Sequence, residues 1–222
     1  MNIIGLVGFI GSGKDTVANM FVENHGCVQD SFAAPLKDLS ASIFGWPREL
    51  MEGDTVESRD FRETADLYWG RKLGIPNFTP RLALQLIGTD VLRTHFDPNI
   101  WLHSLEYRIR KQRDDTPCTV ISDARFKNEL DLIKEMGGVV IWVQRGELPE
   151  WFETAKTAHT NAVSHKIMKT KYADVHESEW NWAGHPVDYI ITNNGTIEDL
   201  AKQVEDIRDW NTGEFKQTLK LV

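Results

Sequence analysis

Along the chain, short runs of apolar and β-branched residues alternate with longer stretches whose apolar positions recur every three or four residues. This is the pattern of an α/β protein with a parallel sheet. Ile3 to Val7 reads as a buried first strand, followed by a glycine-rich turn and a helix from about Lys14 to Asn24. Val17, Phe21 and Val22 form the apolar side of that helix and Gly26 closes it. Val28 to Phe32 predicts a second strand and Ala33 to Phe44 a helix after it. Thr119 to Ser122, Val139 to Gln144 and Tyr189 to Thr192 supply three more strands, with a helix at Asn128 to Met136 ended by Gly137-Gly138. After the last strand, Thr196-x-x-Asp199 predicts a capping box, and Leu200, Val204 and Ile207 an apolar stripe.

Two stretches break this rhythm. Gly45 to Thr79 holds many charges and the aromatics Trp46, Tyr68 and Trp69, with few periodic apolar positions, and the pattern assigns it no element. Thr79-Pro80 then predicts a helix start, because Thr79 can cap and Pro80 gives up no needed N–H, with Leu82, Leu86 and Ile87 on the buried face. Asp97-Pro98 repeats the device before Trp101, Leu105 and Ile109, Asp97 acting as a cap. Glu147 to Pro186 is polar and weakly periodic, and is expected to be a mobile excursion from the sheet. The organisation predicted is one domain with an insertion at about 45–112 and a lid at about 147–186.

Composition narrows the class. Apolar residues at 41% and charged residues at 26% are near globular averages. The longest apolar run, Val139 to Val143, is too short to span a membrane, and Met1-Asn2-Ile3 has no signal-peptide character, so a cytoplasmic setting is expected. A net charge of −8 argues against general nucleic-acid binding. Cys27 and Cys118 are too few for a disulfide framework or a four-cysteine zinc site. The spacings of His159, His165, His176 and His185 fit no common zinc motif.

The chemistry enters at Gly8-Phe9-Ile10-Gly11-Ser12-Gly13-Lys14, which matches G-x-x-x-x-G-K between a strand and a helix. The glycines let the backbone point N–H groups at phosphate oxygens, the helix N-terminus adds positive potential, and Lys14 adds a full charge for the terminal phosphates. Asp15 stands where the motif has the magnesium-binding Ser or Thr, and Thr16 follows it. Mg2+ is therefore expected to be held more by phosphate oxygens and water than by this loop, and Thr16 can instead bond an inner phosphate. Val120-Ile121-Ser122-Asp123 is a strand ending in an acid, a Walker-B position facing the metal or a simple loop cap; Arg125 follows, and Glu129 lies on the next helical turn.

Arg62, Arg81, Arg93, Arg125 and Arg145 occupy loop or helix-end positions. Beside a phosphate loop they suggest a second anion site, since guanidinium forks match phosphate oxygens in pairs. A phosphate acceptor already carries charge and needs positioning; a hydroxyl acceptor would use a base, for which Asp123 is the candidate. Gln85 reads either as a contact to a base edge or as a helix-face hydrogen bond, and Asp90 either as a substrate ligand or as a brace for Arg93. Trp142 reads as core.

Gly11-Ser12-Gly13-Lys14-Asp15-Thr16, Arg62-Glu63-Thr64, Arg81-x-x-x-Gln85-x-x-Gly88-Thr89-Asp90, Phe96-Asp97 with Trp101, Asp123-x-Arg125 and Ile191-Thr192-Asn193-x-Gly195 together resemble the deoxynucleoside monophosphate kinase family of large bacteriophages. The resemblance covers most of the chain. It implies a P-loop kinase fold with a central parallel five-stranded sheet flanked by helices, ATP with Mg2+ as donor, and a dNMP as acceptor. It implies that Lys37 and Arg62 line the acceptor site and that Arg81, Gly88, Thr89 and Trp101 hold its phosphate, sugar or base. Asp123 and Arg125 would lie between the two substrates, and Asn193 to Gly195, at the last strand end, would border the adenine. The lid would exclude water; it holds no arginine between Gly146 and Asp188, so Lys156, Lys166, Lys169, Lys171 or Arg145 at its root must offset the moving charge.

The rival readings are a kinase for another phosphorylated small molecule, of dephospho-coenzyme A or phosphomevalonate type, and an NTP-dependent switch or assembly factor. A homodimer is left open, as is the role of the tail from Asp209 to Val222.

Overall fold

The computed structural model describes residues 2–112, 116–209 and 214–215. The chain forms two compact units, one from Met1–Ser31 with Ile109–Val222 and one from Phe32–Arg108.

The first unit is built on five parallel strands in the order β2-β3-β1-β4-β5. These are β1 (Asn2–Val7), β2 (Val28–Asp30), β3 (Cys118–Ile121), β4 (Val139–Gln144) and β5 (Tyr189–Thr192). β1 sits at the centre because it carries apolar residues on both faces: Ile3, Ile4, Leu6 and Val7 are all buried, as a strand covered by helices on both sides requires. Helices α1 (Lys14–His25) and α11 (Ile197–Asp206) cover the sheet through Val17, Ala18 and Phe21 and through Leu200 and Val204. α11 begins in the predicted capping box, Thr196 accepting from Asp199 N. Helix α7 (Lys127–Glu135) contributes the buried Leu130, Leu132 and Ile133. Cys27 and Cys118 join as one disulfide, their Cα atoms 4.6 Å apart: a single crosslink, not a framework.

Between β4 and β5 the chain folds into α8 (Phe152–Thr157), α9 (Ala162–Thr170) and α10 (Glu177–Trp180). Phe152, Ala155, Ala158, Met168, Tyr172, Trp180, Trp182 and Ala183 are buried there. The polar excursion expected over 147–186 is thus a small helical layer with an apolar centre of its own. Its helices are too short to show an apolar period, so the sequence pattern did not reveal it. After α11, β6 (Arg208–Asp209) and β7 (Glu214–Phe215) pair antiparallel; the rest of the tail from Asp209 to Val222 lies outside the described residues.

The second unit is helical. It holds α2 (Ala34–Phe44), a 3-10 turn at Arg48–Met51, α3 (Val56–Glu63), α4 (Leu67–Leu73), α5 (Pro80–Gln85) and most of α6 (Ile100–Arg110). The unreadable stretch from 45 to 79 is organised by caps and rings instead of by periodicity. Thr55 and Ser58 form a capping box on α3, and Asp66 caps α4 by accepting from Tyr68 N and Trp69 N. Asp66 also accepts from Trp46 Nε1 at 2.9 Å, and these bonds hold its carboxyl below the usual range. Trp46 stacks on Phe44 with ring centres 4.4 Å apart, above buried Met51, Phe78 and Ala83. Thr79 caps α5 as predicted, accepting from Leu82 N. Past Gln85 the helix widens into a π-helix, Leu86–Phe96, seen in bonds to the fifth residue back such as Asp97 N to Leu92 O at 2.9 Å.

Candidate active site

In the first unit every predicted donor-side residue lies at the carboxyl end of a strand, where the strand order reverses around β1 and open α/β sheets bind ligands. The loop after β1 carries Gly8 to Thr16, the loop after β3 carries Asp123 and Arg125, β4 leads to Arg145, and β5 leads to Asn193.

The phosphate loop takes its shape from glycine. Gly8 has φ +148° and Gly13 φ +98°, and a Cβ at either would collide, at Gly8 with Val143 O and at Gly13 with Asn193 Nδ2. Gly13 stands at the N-cap of α1 with no side-chain cap, which leaves the first-turn N–H groups of a 12-residue helix available to a ligand. Asp15 and Thr16 are exposed in that turn. Asn193 Nδ2 donates to Ser12 O at 2.9 Å and Arg145 NH1 reaches Gly11 O at 3.4 Å, so β4 and β5 both brace the loop. Asn194 accepts from Gly146 N at 2.7 Å. Gly195 is exposed.

Lys14 folds back over the loop, donating to Gly8 O at 2.8 Å and Phe9 O at 2.9 Å. Its pKa is lowered to about 8, first by burial and then by the neighbouring Arg125 cation, against smaller opposing effects of Asp15 and Glu179. Two cations held this close, one partly desolvated, make a place where a polyvalent anion is favoured. Arg125 is aimed by its own backbone: Glu129, almost fully buried, accepts from Arg125 N at 2.8 Å and Phe126 N at 3.1 Å. Sequence reasoning noted Glu129 only by its place on the helix; the acid three residues after the N-cap was the signal for this capping role. Asp123 is half-buried beside Arg125 in the same loop.

Glu179, in α10, is a site residue that sequence reasoning missed. Its carboxylate accepts from Ile10 N at 3.3 Å and from Arg125 NH1 at 3.2 Å. No linear signal marks it, since it reaches the loop across 169 residues. Phe9 is the other unforeseen contact: its ring meets Trp151 at 5.4 Å, Phe152 at 5.9 Å and Trp182 at 5.3 Å. Of the cations expected to serve a lid, Lys156 pairs with Glu153, Lys169 with Glu177, and Lys171 with Glu150 and Tyr172, whereas Arg145 contacts the phosphate loop. The four histidines between β4 and β5 contact protein groups: His176 accepts from Ser178 N, His159 meets Asn181 O, His165 packs on Trp180, and His185 pairs with Asp131 at 3.0 Å. Among the described residues no group of three or more His, Cys, Asp or Glu is placed to hold a metal ion.

In the second unit Lys37 and Arg62 converge on Glu52. Lys37 pairs with its carboxylate, and Arg62 NH1 donates to its backbone oxygen at 3.0 Å. Burial pushes Glu52 up, but hydrogen bonds from Lys37 and Arg48 outweigh it and hold the carboxyl below its usual value. Arg81 pairs with Glu63 at 2.6 Å with both side chains mostly exposed, a contact worth about 1 kcal/mol at most. Gln85, Thr89 and Asp90 are exposed, and the buried Trp101 donates from Nε1 to Gly88 O at 3.2 Å, fixing the indole against the π-helix.

Comparison with known proteins identifies the family. The profile of deoxynucleotide monophosphate kinase matches residues 51–204. The chain is 32% identical to a putative deoxynucleotide monophosphate kinase of Acanthamoeba polyphaga mimivirus, over 92% of this chain and 94% of that one. It is 29% identical to the deoxynucleoside-5′-monophosphate kinase of Escherichia phage T5 over 60% and 72% of the two chains. With the deoxynucleotide monophosphate kinase of Enterobacteria phage T4 it shares 26% identity over 93% and 98%. The chain belongs to the deoxynucleotide monophosphate kinase family.

Proposed function

We propose that this protein transfers the terminal phosphoryl group of ATP to a deoxynucleoside monophosphate, making the diphosphate for DNA synthesis in the cytoplasm. The observation that carries the reading is Lys14 and Arg125 held together at the phosphate loop of a chain from this family. The amides of Gly11 to Thr16 take the inner phosphates, and Lys14 and Arg125 offset the charge on the group in flight. Asn193 and Gly195 border the adenine. Magnesium would neutralise charge on the donor phosphates; Asp123 at the β3 end and Thr16 in the loop are the protein candidates to hold it, beside phosphate oxygens and water.

The acceptor is a phosphate, so its oxygen needs orientation and no base. Lys37, Arg62 and Arg81 take its charge, and Gln85, Gly88, Thr89, Asp90 and Trp101 its sugar and base. Before these cations engage substrate, Lys37 and Arg81 must leave Glu52 and Glu63. The exposed Arg81–Glu63 exchange costs little, whereas Lys37 is largely buried against Glu52 and its release costs more, which ties acceptor binding to local rearrangement.

The test is coupled ADP release with ATP and Mg2+ against dNMPs, NMPs, nucleosides and dephospho-coenzyme A. Acceleration by one or more dNMPs is expected. Acceleration by dephospho-coenzyme A alone, or by none of them while ATP still binds, would overturn the reading.

A further inference from the structure

Glu179 is a carboxylate where the proposed chemistry calls for an anion of another kind. One oxygen accepts from the phosphate-loop amide of Ile10 and the other from the Arg125 guanidinium, and the side chain is only 18% exposed. Lys14 feels its charge as well. A loop amide and a guanidinium directed at one place, with the Lys14 ammonium nearby on the loop carbonyls, resemble the donor set that a transferring phosphoryl group needs. Here a planar two-oxygen anion from the chain itself meets that demand.

The placement of this acid is fixed on both sides. His176 caps the short helix, Trp180 is buried, and Asn181 accepts from Lys127 N at 2.9 Å. Trp182 packs on Phe9 of the loop. Glu177, two residues away, turns to Lys169 and Asn181 instead. The contact therefore belongs to the fold of the lid and not to a surface acid that happened to find a cation.

We propose that Glu179 is a built-in competitor for the terminal phosphoryl group of the donor, and so a determinant of how the site weighs ATP against ADP. This rests on the reading of ATP as donor, with its inner phosphates on the Gly11–Thr16 amides. Two anions cannot share the Ile10 amide and Arg125 at hydrogen-bond distance, because their repulsion replaces the attraction each enjoys alone. ATP must displace the carboxylate to place its third phosphate. ADP ends short of that point and leaves Glu179 on Arg125. As the third phosphate departs to the acceptor, the carboxylate retakes the arginine, which favours the state with product over reversal.

The experiment is calorimetric titration of the full-length wild type, Glu179→Gln and Glu177→Gln with ATP and with ADP, magnesium in excess. Glu179→Gln keeps the side chain's shape and removes its charge. It is expected to tighten ATP about tenfold, the scale of a charge-assisted hydrogen bond, while changing ADP less than about twofold. Glu177→Gln should change neither. Should Glu179→Gln fail to fold, Glu179→Asp, which retains charge but shortens the reach, is expected to tighten ATP about threefold. Equal tightening of both nucleotides, no change, or weaker ATP binding would each overturn the proposal; the last would mean that Glu179 stays with Arg125 beside the bound donor. If wild type binds neither nucleotide, the ATP reading falls and this proposal with it, whereas binding without a variant effect removes this proposal alone.

Discussion

The phosphate loop and the centre of the helical layer between β4 and β5, the lid of the proposed function, are neighbours held together by opposite means. From Gly8 to Thr16 the structure is made by backbone: positive φ at the glycines, uncapped amides, and a lysine bonded to two carbonyls. From Trp151 to Ala183 it is made by side chains, with Trp142, Trp182 and Phe152 forming a ring cluster against Phe9. The loop keeps a charge in a poorly solvated place for the sake of chemistry, and the lid buries apolar surface that pays for it. Loop substitutions should therefore remove activity while sparing stability, and lid substitutions should do the reverse.

The largest effect is expected for Lys14→Met. Turnover should fall at least about a thousandfold in the coupled assay, as for removal of a charge on a transferring phosphoryl group. The stability effect should have the opposite sign. The Lys14 pKa is lowered from 10.5 to about 8, so the cost of its buried charge is fully present below pH 8. It is relieved as pH rises from about 8 to 10.5, where the unfolded chain binds the extra proton; stability from this group rises with pH across that window. The shift corresponds to about 3 kcal/mol as an upper figure, so Lys14→Met should raise urea stability at pH 7 by about 1–3 kcal/mol. ATP affinity of the wild type should decline above pH 8 as the ammonium is lost, and Lys14→Arg should flatten that decline. A destabilised Lys14→Met would break the comparison by making the lysine's carbonyl bonds worth more than its desolvation.

Next comes Trp182→Ala, which empties the middle of the ring cluster. Truncating a buried tryptophan costs about 3–5 kcal/mol, readable in the denaturant midpoint. Residual activity at low temperature should survive in proportion to the folded fraction. If instead activity collapses in a fully folded variant, Phe9 depends on Trp182 for the shape of the loop, and the two regions are one device.

The same contrast explains what the chain disclosed in one dimension. The strand at Val139–Gln144, the strand at Tyr189–Thr192, the loop at Gly8–Lys14 and the caps at Thr79 and Thr196 depend on neighbours within a few residues, and sequence spacing reports them. Glu179 on Ile10 and Arg125, and Phe9 on Trp182, depend on partners far along the chain. The stretch from 45 to 79 hid for a related reason: Asp66 reads as one more surface acid until Trp46 is found on it. The π-helix at Leu86–Phe96 has no sequence signature that an α-helical period would miss, so its Gly88-Thr89-Asp90 segment was read as ordinary helix.

The smallest effect isolates the lid's packing from its polar atoms. Trp142 stacks on Phe152 and meets Trp182 edge-on, and its buried Nε1–H has no acceptor among the described residues. Burying an unpaired donor costs on the order of 1–3 kcal/mol, which offsets much of what the larger ring gains over phenylalanine in buried area. Trp142→Phe keeps an aromatic on β4 and removes the unpaired group, so its stability should lie within about 1 kcal/mol of wild type, against the several lost in Trp182→Ala. Near-neutrality would show that ring contact, and not indole hydrogen bonding, holds the lid to the sheet. A loss as large as that of Trp182→Ala would mean the indole N–H is bonded to ordered water, and would make the lid core as dependent on polar satisfaction as the loop it covers.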